Sequence, residues 1–193
     1  MTKLVLIGDS LRLHYQPLVA EALGGVVEVW GPAANCQSSR EILANAQAWI
    51  GDARPDIVHM NCGMHDLRID PSSLEYNVPI EVYARHLEAL FSLVTRRSGA
   101  QLIWATLTPL HERRHQQFRP AIRRQRDVAQ YNELALSLPI QHGARINDLH
   151  RAVTAADQGD LLGQDGLHFT SKGYRFLADQ VVSAVRTALR RDA

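Results

Sequence analysis

Apolar and polar positions alternate along the chain in blocks of two kinds. The first kind consists of five short runs rich in valine and isoleucine that end at glycine, proline or a polar residue, as buried strands do. These runs span residues 3–8, 25–30, 56–61, 100–108 and 144–148. The second kind repeats apolar residues near a period of 3.6, which predicts helices. These segments span residues 12–23, 38–50, 79–97, 128–138 and 174–189.

The alternation of strand and helix predicts a single α/β domain over residues 1–193. Parallel strands need a crossover between them, and a helix supplies it, so we expect a mostly parallel five-stranded sheet in a three-layer α/β/α sandwich. Residues 62–79 and 108–126 have the least regular pattern. Both segments follow strands and are expected at the carboxyl edge of the sheet, where open α/β folds bind ligands.

Composition excludes several classes of protein. A net charge of +1 argues against a nucleic-acid partner. No apolar stretch approaches the roughly 20 residues that cross a bilayer, so no stable membrane insertion is expected. Only four apolar residues lie between Lys3 and Gly8, too few for a secretory signal, and a cytoplasmic location is therefore predicted. Cys36 and Cys62 fit a reducing compartment and do not have the spacing of a zinc site.

The first strand stops abruptly in the stretch LVLIGDSL, where Gly8, Asp9 and Ser10 follow the apolar run. Either the strand ends in a simple turn, or Ser10 is a nucleophile at the edge of the sheet. Asp165 and His168 stand three residues apart before the last helix, a spacing at which the carboxylate can orient the imidazole as a base. All three residues follow strands, so their loops can converge. We expect Asp9 to cap the turn rather than to react.

Four blocks of the sequence resemble the GDSL-type, or SGNH, hydrolase family. They are GDSL at residues 8–11, NCQSS at residues 35–39, GMHD at residues 63–66 and DGLH at residues 165–168. The resemblance implies a flavodoxin-like topology. It also implies a catalytic triad formed by Ser10, His168 and Asp165, with no cofactor and no metal.

The resemblance further implies an oxyanion hole, in which N–H groups stabilise the charge that develops on the attacked carbonyl. The expected donors are the Ser10 and Cys36 backbones and the His65 side chain. The family's block two has glycine where Cys36 stands, and its third block reads G-x-N-D where this chain has His65. Asn61 and Asn35 are rival side-chain donors.

The function that the resemblance implies is a serine esterase that forms an acyl-enzyme on Ser10, with a small-molecule ester as its partner. The absence of a long apolar lid favours short acyl or O-acetyl esters. Two alternatives remain open: an acyltransferase with the same triad, and a degenerate module that binds acylated ligands without turnover. The sequence leaves the substrate-binding residues and the oligomeric state undetermined.

Residues 111–126 contain six arginines and two histidines. One interpretation is a site for an anionic substrate or a membrane surface. The other is a solvated loop that leads into a helix. The sequence alone does not choose between them.

Overall fold

The sheet lies at the centre of the molecule, in a computed structural model that describes residues 1–156 and 158–190. Its strands are β1 (Thr2–Ile7), β2 (Val27–Trp30), β3 (Ile57–Met60), β4 (Gln101–Ala105) and β5 (Arg145–Asn147). The strand order is β2-β1-β3-β4-β5, and every neighbouring pair is parallel. This order is the flavodoxin-like one, so the predicted fold class is confirmed.

Helices follow each strand, and two of them end in a π-helical turn. They are α1 (Ser10–Leu23), α2 (Ser39–Ala46, continued by Gln47–Gly51), α3 (Ile80–Ser92, continued by Leu93–Ser98), α4 (Glu112–Phe118), α5 (Gln125–Ser137), α6 (Leu149–Ala155), α7 (Gln158–Leu161) and α8 (Ser171–Leu189). Pro139–His142 form a 3-10 turn. In the part of the chain that the structure describes, no helix has the length and hydropathy needed to cross a membrane.

Two apolar layers hold the helices against the sheet, as β1 illustrates. Its residues alternate, so that Val5 and Ile7 pack with α2, α3 and α5 on one face. Leu4 and Leu6 pack with α1 and α8 on the other face. All four side chains are fully buried, and each contributes roughly 1.5–3 kcal/mol through removal of apolar surface from water. The predicted three-layer sandwich is therefore confirmed.

The structure adds three helices that the hydrophobic pattern did not predict. Helix α4 lies inside residues 108–126, which we expected to be a loop, and α6 and α7 follow β5. Each has at most seven residues, too short for a 3.6-residue period to be recognised. Local capping supports α6, since Asp148 Oδ1 accepts a hydrogen bond of 3.0 Å from the Arg151 N–H.

Strand β4 ends at Ala105, earlier than the predicted residue 108. The Leu107 N–H turns away from the sheet and donates to Asn132 Oδ1 of α5 at 2.7 Å. Asn132 Nδ2 in turn donates to the Leu107 carbonyl at 3.0 Å. The Asn132 side chain thus replaces the hydrogen bonds that a neighbouring strand would have made to Leu107. Pro109 has no N–H with which the ladder of hydrogen bonds could resume.

The order of the strands creates a crevice between the carboxyl ends of β1 and β3. The chain leaves β1 toward β2 on one side and leaves β3 toward β4 on the other. The loops after β1 and β3 therefore diverge. Such a switch point is where open α/β sheets bind ligands.

Candidate active site

Only Gly8 and Asp9 separate β1 from α1, and Ser10 is the first residue of the helix. Asp9 Oδ1 accepts a hydrogen bond of 3.0 Å from the Leu11 N–H, so the predicted capping role of Asp9 is confirmed. Glycine is required at position 8 because a Cβ there would lie 2.8 Å from Arg12 Cβ. The Ser10 N–H belongs to the first turn of α1, whose amide groups have no carbonyl partner within the helix.

The segment before α8 forms a tight turn around Asp165. Its Oδ1 accepts hydrogen bonds from the backbone N–H groups of Leu167 at 3.1 Å and His168 at 2.9 Å. Gly166 has a φ of +67°, and a Cβ there would come within 2.6 Å of the His111 carbonyl oxygen. The turn therefore needs glycine at that position and holds the His168 ring in a fixed place relative to the carboxylate.

The structure brings Ser10, His168 and Asp165 together in one hydrogen-bonded chain. Ser10 Oγ lies 3.0 Å from His168 Nε2. His168 Nδ1 lies 2.6 Å from Asp165 Oδ2. Because the carboxylate can only accept, the ring proton belongs on Nδ1, which leaves Nε2 free to take the proton of the serine hydroxyl.

The Asp165 carboxylate stays ionised over the whole neutral pH range. Burial favours its protonated form, but hydrogen bonds from the His168 ring and from the His168 and Leu167 backbones outweigh burial and lower the pKa to about 2. Arg119 lies 3.8 Å from Asp165 Oδ2 and adds a weaker attraction. A change of activity above pH 4 therefore does not report the titration of Asp165.

A cavity of about 340 Å3 opens at Ser10 and His168. Its walls come from the loops after β1, β2, β3 and β4 and from the turn before α8. The lining residues are Ser10, Asn35, His65, Arg68, Arg119, Pro120, Ala121, Arg123, Leu167 and His168. Two residues of the predicted triad, Ser10 and His168, and two of the predicted oxyanion side chains, Asn35 and His65, therefore line the same cavity.

Two of the expected oxyanion donors are directed elsewhere, and we correct them. Cys36 is fully buried, and its N–H donates to the Gly8 carbonyl at 3.2 Å. Asn61 is 5 % exposed, and its Nδ2 donates to the carbonyls of Ala105 at 2.9 Å and Thr106 at 3.1 Å. Both groups hold loops to the sheet, so neither is available to a substrate in the cavity.

His65 and Asn35 are the side-chain donors that remain. Asn35 Oδ1 accepts a hydrogen bond of 2.8 Å from the Gln37 N–H, which leaves its Nδ2 group as a donor. Burial lowers the pKa of His65, and the nearby charge of Arg123 lowers it further against the opposing effect of Asp9. The His65 imidazole is therefore neutral at neutral pH and has one N–H to donate.

The loop that carries His65 is fixed from both sides. On one side, Arg123 Nε donates to the Met64 carbonyl at 2.8 Å. On the other, Asp66 is fully buried and accepts hydrogen bonds from the Ser39 hydroxyl and from the Ser39 N–H, the latter at 3.0 Å. An oxyanion donor requires such support, because a mobile donor would have to be reoriented before it could stabilise the developing negative charge.

Three arginines in the cavity wall extend the site beyond the predicted residues. Arg119 and Arg123 belong to the arginine-rich segment of residues 111–126, for which the sequence left two interpretations open. Arg68 had no signal in the sequence, since a single arginine in an irregular loop is usually solvated. In residues 1–156 and 158–190, no cluster of three or more His, Cys, Asp or Glu side chains is arranged to hold a metal ion.

Comparison with known protein families identifies the chain. A model of the GDSL-like Lipase/Acylhydrolase family matches residues 8–176, which include Ser10, Asp165 and His168. The chain belongs to this family. GDSL-like lipases and acylhydrolases act on ester bonds, and this protein is accordingly a hydrolase of that class.

Solved structures of other GDSL-like and esterase proteins share the fold. An acetyl xylan esterase, AlAXEase, is 18% identical and superposes with a TM-score of 0.80 over 95% of this chain and 99% of its own. A lipase/acylhydrolase from Enterococcus faecalis is 20% identical, with a TM-score of 0.80 and 97% of each chain covered. The acetylxylan esterase Axe2 from Geobacillus stearothermophilus is 19% identical, with a TM-score of 0.77 over 94% of this chain and 93% of its own. Among curated proteins, no relative matches.

This member of the GDSL-like family departs from the usual third block at His65, and the departure gives a prediction. We expect His65→Ala to lower kcat toward p-nitrophenyl acetate by about a hundredfold to a thousandfold, because one oxyanion donor is lost. His65→Asn restores an amide donor and is expected to keep most of the activity.

Asn61→Ala is the control for this prediction. It removes two buried hydrogen bonds but no cavity donor, so it should lower the melting temperature while the folded fraction keeps its kcat. If His65→Ala retains kcat within a few fold and Asn35→Ala loses it, the donor is Asn35 and the assignment to His65 is wrong.

Proposed function

We propose that this protein is a serine esterase that hydrolyses carboxylic esters through an acyl-enzyme on Ser10. The single observation that carries the proposal is the hydrogen-bonded chain from Asp165 through His168 to Ser10, which ends in an open cavity. A serine hydroxyl is a weak nucleophile by itself. An adjacent base that is oriented by a third group activates it.

The first half of the reaction acylates the serine. His168 Nε2 takes the hydroxyl proton while Ser10 Oγ bonds to the carbonyl carbon, and the carbonyl oxygen becomes an oxyanion. The Ser10 N–H and the His65 side chain stabilise this charge, and the positive end of the α1 dipole acts in the same direction. The tetrahedral intermediate then breaks its bond to the alcohol oxygen, which takes the proton from His168 and leaves.

The second half of the reaction returns the enzyme to its starting state. His168 removes a proton from water as the water oxygen bonds to the acyl carbon. Collapse of the second tetrahedral intermediate breaks the bond to Ser10 Oγ, which recovers its proton from His168. The Asp165 carboxylate stabilises the imidazolium in both halves and does not itself take the proton.

Short acyl groups, and O-acetyl groups in particular, fit the cavity best. Its volume of about 340 Å3 is at the low end of ligand pockets, and only Pro120, Ala121 and Leu167 contribute apolar side chains to its wall. A long acyl chain would have no continuous apolar surface to bind. The fold is also shared with two acetyl xylan esterases, which agrees with this preference.

Of the two alternatives, a module that binds without turnover is disfavoured by the complete hydrogen-bonded triad. Acyl transfer would use the same first half-reaction, with an alcohol in place of water in the second. Product analysis with and without an added sugar acceptor distinguishes acyl transfer from hydrolysis.

The acyl preference is tested with p-nitrophenyl acetate, butyrate and octanoate. We expect kcat/KM to fall at least about tenfold from acetate to octanoate, because each added methylene stays in water or clashes with the wall. Acetylated xylo-oligosaccharides and acetyl-CoA extend the panel to sugar esters and thioesters. A higher kcat/KM for octanoate than for acetate would contradict the short-acyl assignment.

A further inference from the structure

The cavity wall concentrates positive charge next to the candidate nucleophile. Arg68, Arg119 and Arg123 all line the cavity. Within residues 1–156 and 158–190, Arg68 and Arg123 have no carboxylate within ion-pair distance, and Arg119 has only Asp165 at 3.8 Å. Asp165 contributes one negative charge against the three positive charges of the arginines, so the cavity wall keeps a positive excess.

Arg123 is the most informative of the three because it is buried. It is 6 % exposed, and its Nε donates to the Met64 carbonyl at 2.8 Å. Its Nη1 lies 3.1 Å from Nε2 of the buried His115. Because a guanidinium can only donate, His115 Nε2 must be the acceptor, and the imidazole is neutral. Both partners of Arg123 are therefore uncharged.

The Arg123 charge is present despite this environment. Burial lowers the pKa of Arg123 and the neighbouring charge of Arg68 lowers it further. The carboxylates of Asp9 and Asp165 oppose this only in part, and the resulting value is about 10. The group is still protonated at neutral pH. A buried charge that its neighbours compensate only in part is costly, and an anion that reaches it offsets that cost with charge-assisted hydrogen bonds.

A purely structural role explains only part of this arrangement. Support of the His65 loop requires the single bond from Arg123 to the Met64 carbonyl, which a neutral donor would also provide. It does not explain why Arg68 and Arg119 border the same space, since like charges that are close together repel. The cavity is concave and small, which fits a small molecule better than a membrane surface or a nucleic acid.

We propose that the substrate is a small acidic ester, whose carboxylate or phosphate binds Arg68, Arg119 and Arg123 while its ester carbonyl meets Ser10. This inference rests on the proposed function for the position of the reacting ester, but not for the binding of the anion. Arginine is suited to this task because its planar guanidinium recognises carboxylate and phosphate through paired hydrogen bonds.

The kinetic test compares aryl acetates that share the same acetyl group and ring position and differ chiefly in the charge of the para substituent. The substrates are 4-acetoxybenzoate, its neutral methyl ester, and 4-acetoxyphenyl phosphate. Comparing the two anionic esters with each other separates recognition of a carboxylate from recognition of a phosphate. We expect kcat/KM to be at least about tenfold higher for one of the anionic esters than for the neutral one, and this ratio to decrease as salt is added.

Two exposed arginines provide variants that are expected to fold. Arg68→Ala and Arg119→Ala should each lower the ratio of anionic to neutral kcat/KM by about tenfold. Arg113→Ala is the matched control, because Arg113 is an exposed arginine of α4 that does not line the cavity. Its ratio should equal that of the wild type. An equal ratio in the wild type, Arg68→Ala and Arg119→Ala would overturn the proposal.

A binding measurement separates this proposal from the proposed function. Calorimetric titration of 4-acetoxybenzoate into the Ser10→Ala protein measures binding of the anion without turnover. We expect binding that is at least about tenfold weaker in Ser10→Ala/Arg68→Ala and unchanged in Ser10→Ala/Arg113→Ala. If binding depends on Arg68 but the wild-type protein hydrolyses none of the esters, the esterase mechanism is refuted and the anion site is not. Binding that is the same in all three proteins would refute the anion site alone.

Discussion

Replacing Ser10 with alanine is expected to lower kcat toward p-nitrophenyl acetate by about four orders of magnitude or more. The substitution removes the atom that bonds to the acyl group in the proposed mechanism. It should not disturb the fold, because among the residues that the structure describes the Ser10 hydroxyl bonds to His168 alone, and alanine is favourable in a helix. Thermal unfolding of the variant should therefore match that of the wild type.

Ser183→Ala is the matched control for this experiment. Ser183 lies on the exposed side of α8, away from the cavity, so its replacement should leave kcat within about twofold of the wild type. Equal hydrolysis by the wild type and Ser10→Ala, with both proteins folded, would show that Ser10 is not the nucleophile.

Asp165→Asn is expected to have the second largest effect, a loss of about three to four orders of magnitude in kcat. An amide at this position can present its NH2 group to His168 Nδ1, and the ring proton then moves to Nε2. A protonated Nε2 cannot accept the serine proton. The variant also lacks the negative charge that stabilises the imidazolium during the reaction.

The fold should survive this substitution, since an asparagine oxygen can still accept from the Leu167 and His168 backbones. Asp160→Asn is the comparison, because Asp160 is an exposed carboxylate that bonds to Lys172 at 2.7 Å at the start of α8. We expect it to retain kcat within about twofold. A similar loss of kcat in both variants would indicate a general effect of removing carboxylates rather than a specific orientation of His168.

The architecture was predictable because each part of it depends on local pattern. Buried parallel strands such as β4 are nearly continuous apolar runs, and the helices between them carry an apolar stripe, so the three-layer sandwich can be inferred from the sequence. The position of Ser10 was predictable for a related reason, since a residue that directly follows a parallel strand lies at the carboxyl edge of the sheet. Asp165 and His168 follow β5 only after α6 and α7, and it was the resemblance of their block to the family motif that indicated them.

The oxyanion donors were less predictable because they depend on individual hydrogen bonds between distant segments. Nothing in the sequence around Cys36 indicates that its N–H donates to Gly8. Nor does the sequence around Asn61 indicate that its side-chain amide donates hydrogen bonds to the Ala105 and Thr106 carbonyls at the end of β4. A backbone N–H group or a side-chain amide is the same hydrogen-bond donor whether it stabilises the fold or lines an oxyanion hole. Only the tertiary structure distinguishes the two.

The arginines of the cavity wall show the same limit. A run such as residues 111–126 is usually a solvated surface, and the sequence does not reveal that Arg123 is buried beside His115 while Arg119 stays exposed. Arg68 comes from a different loop and joins them only through the fold. The proposed preference for an acidic ester thus depends on the structure, whereas the proposed triad was accessible from the sequence. The cytoplasmic location stays a prediction.

Covalent labelling tests most directly whether Ser10 is the nucleophile. The protein is treated with diethyl p-nitrophenyl phosphate, which phosphorylates activated serines, and the modified residue is identified by peptide mass spectrometry while esterase activity is followed in parallel. We expect one diethylphosphoryl group per chain on Ser10, loss of activity in proportion to labelling, and no label in Ser10→Ala or His168→Ala. Inactivation with the label on another residue, or full activity in protein labelled at Ser10, would contradict it.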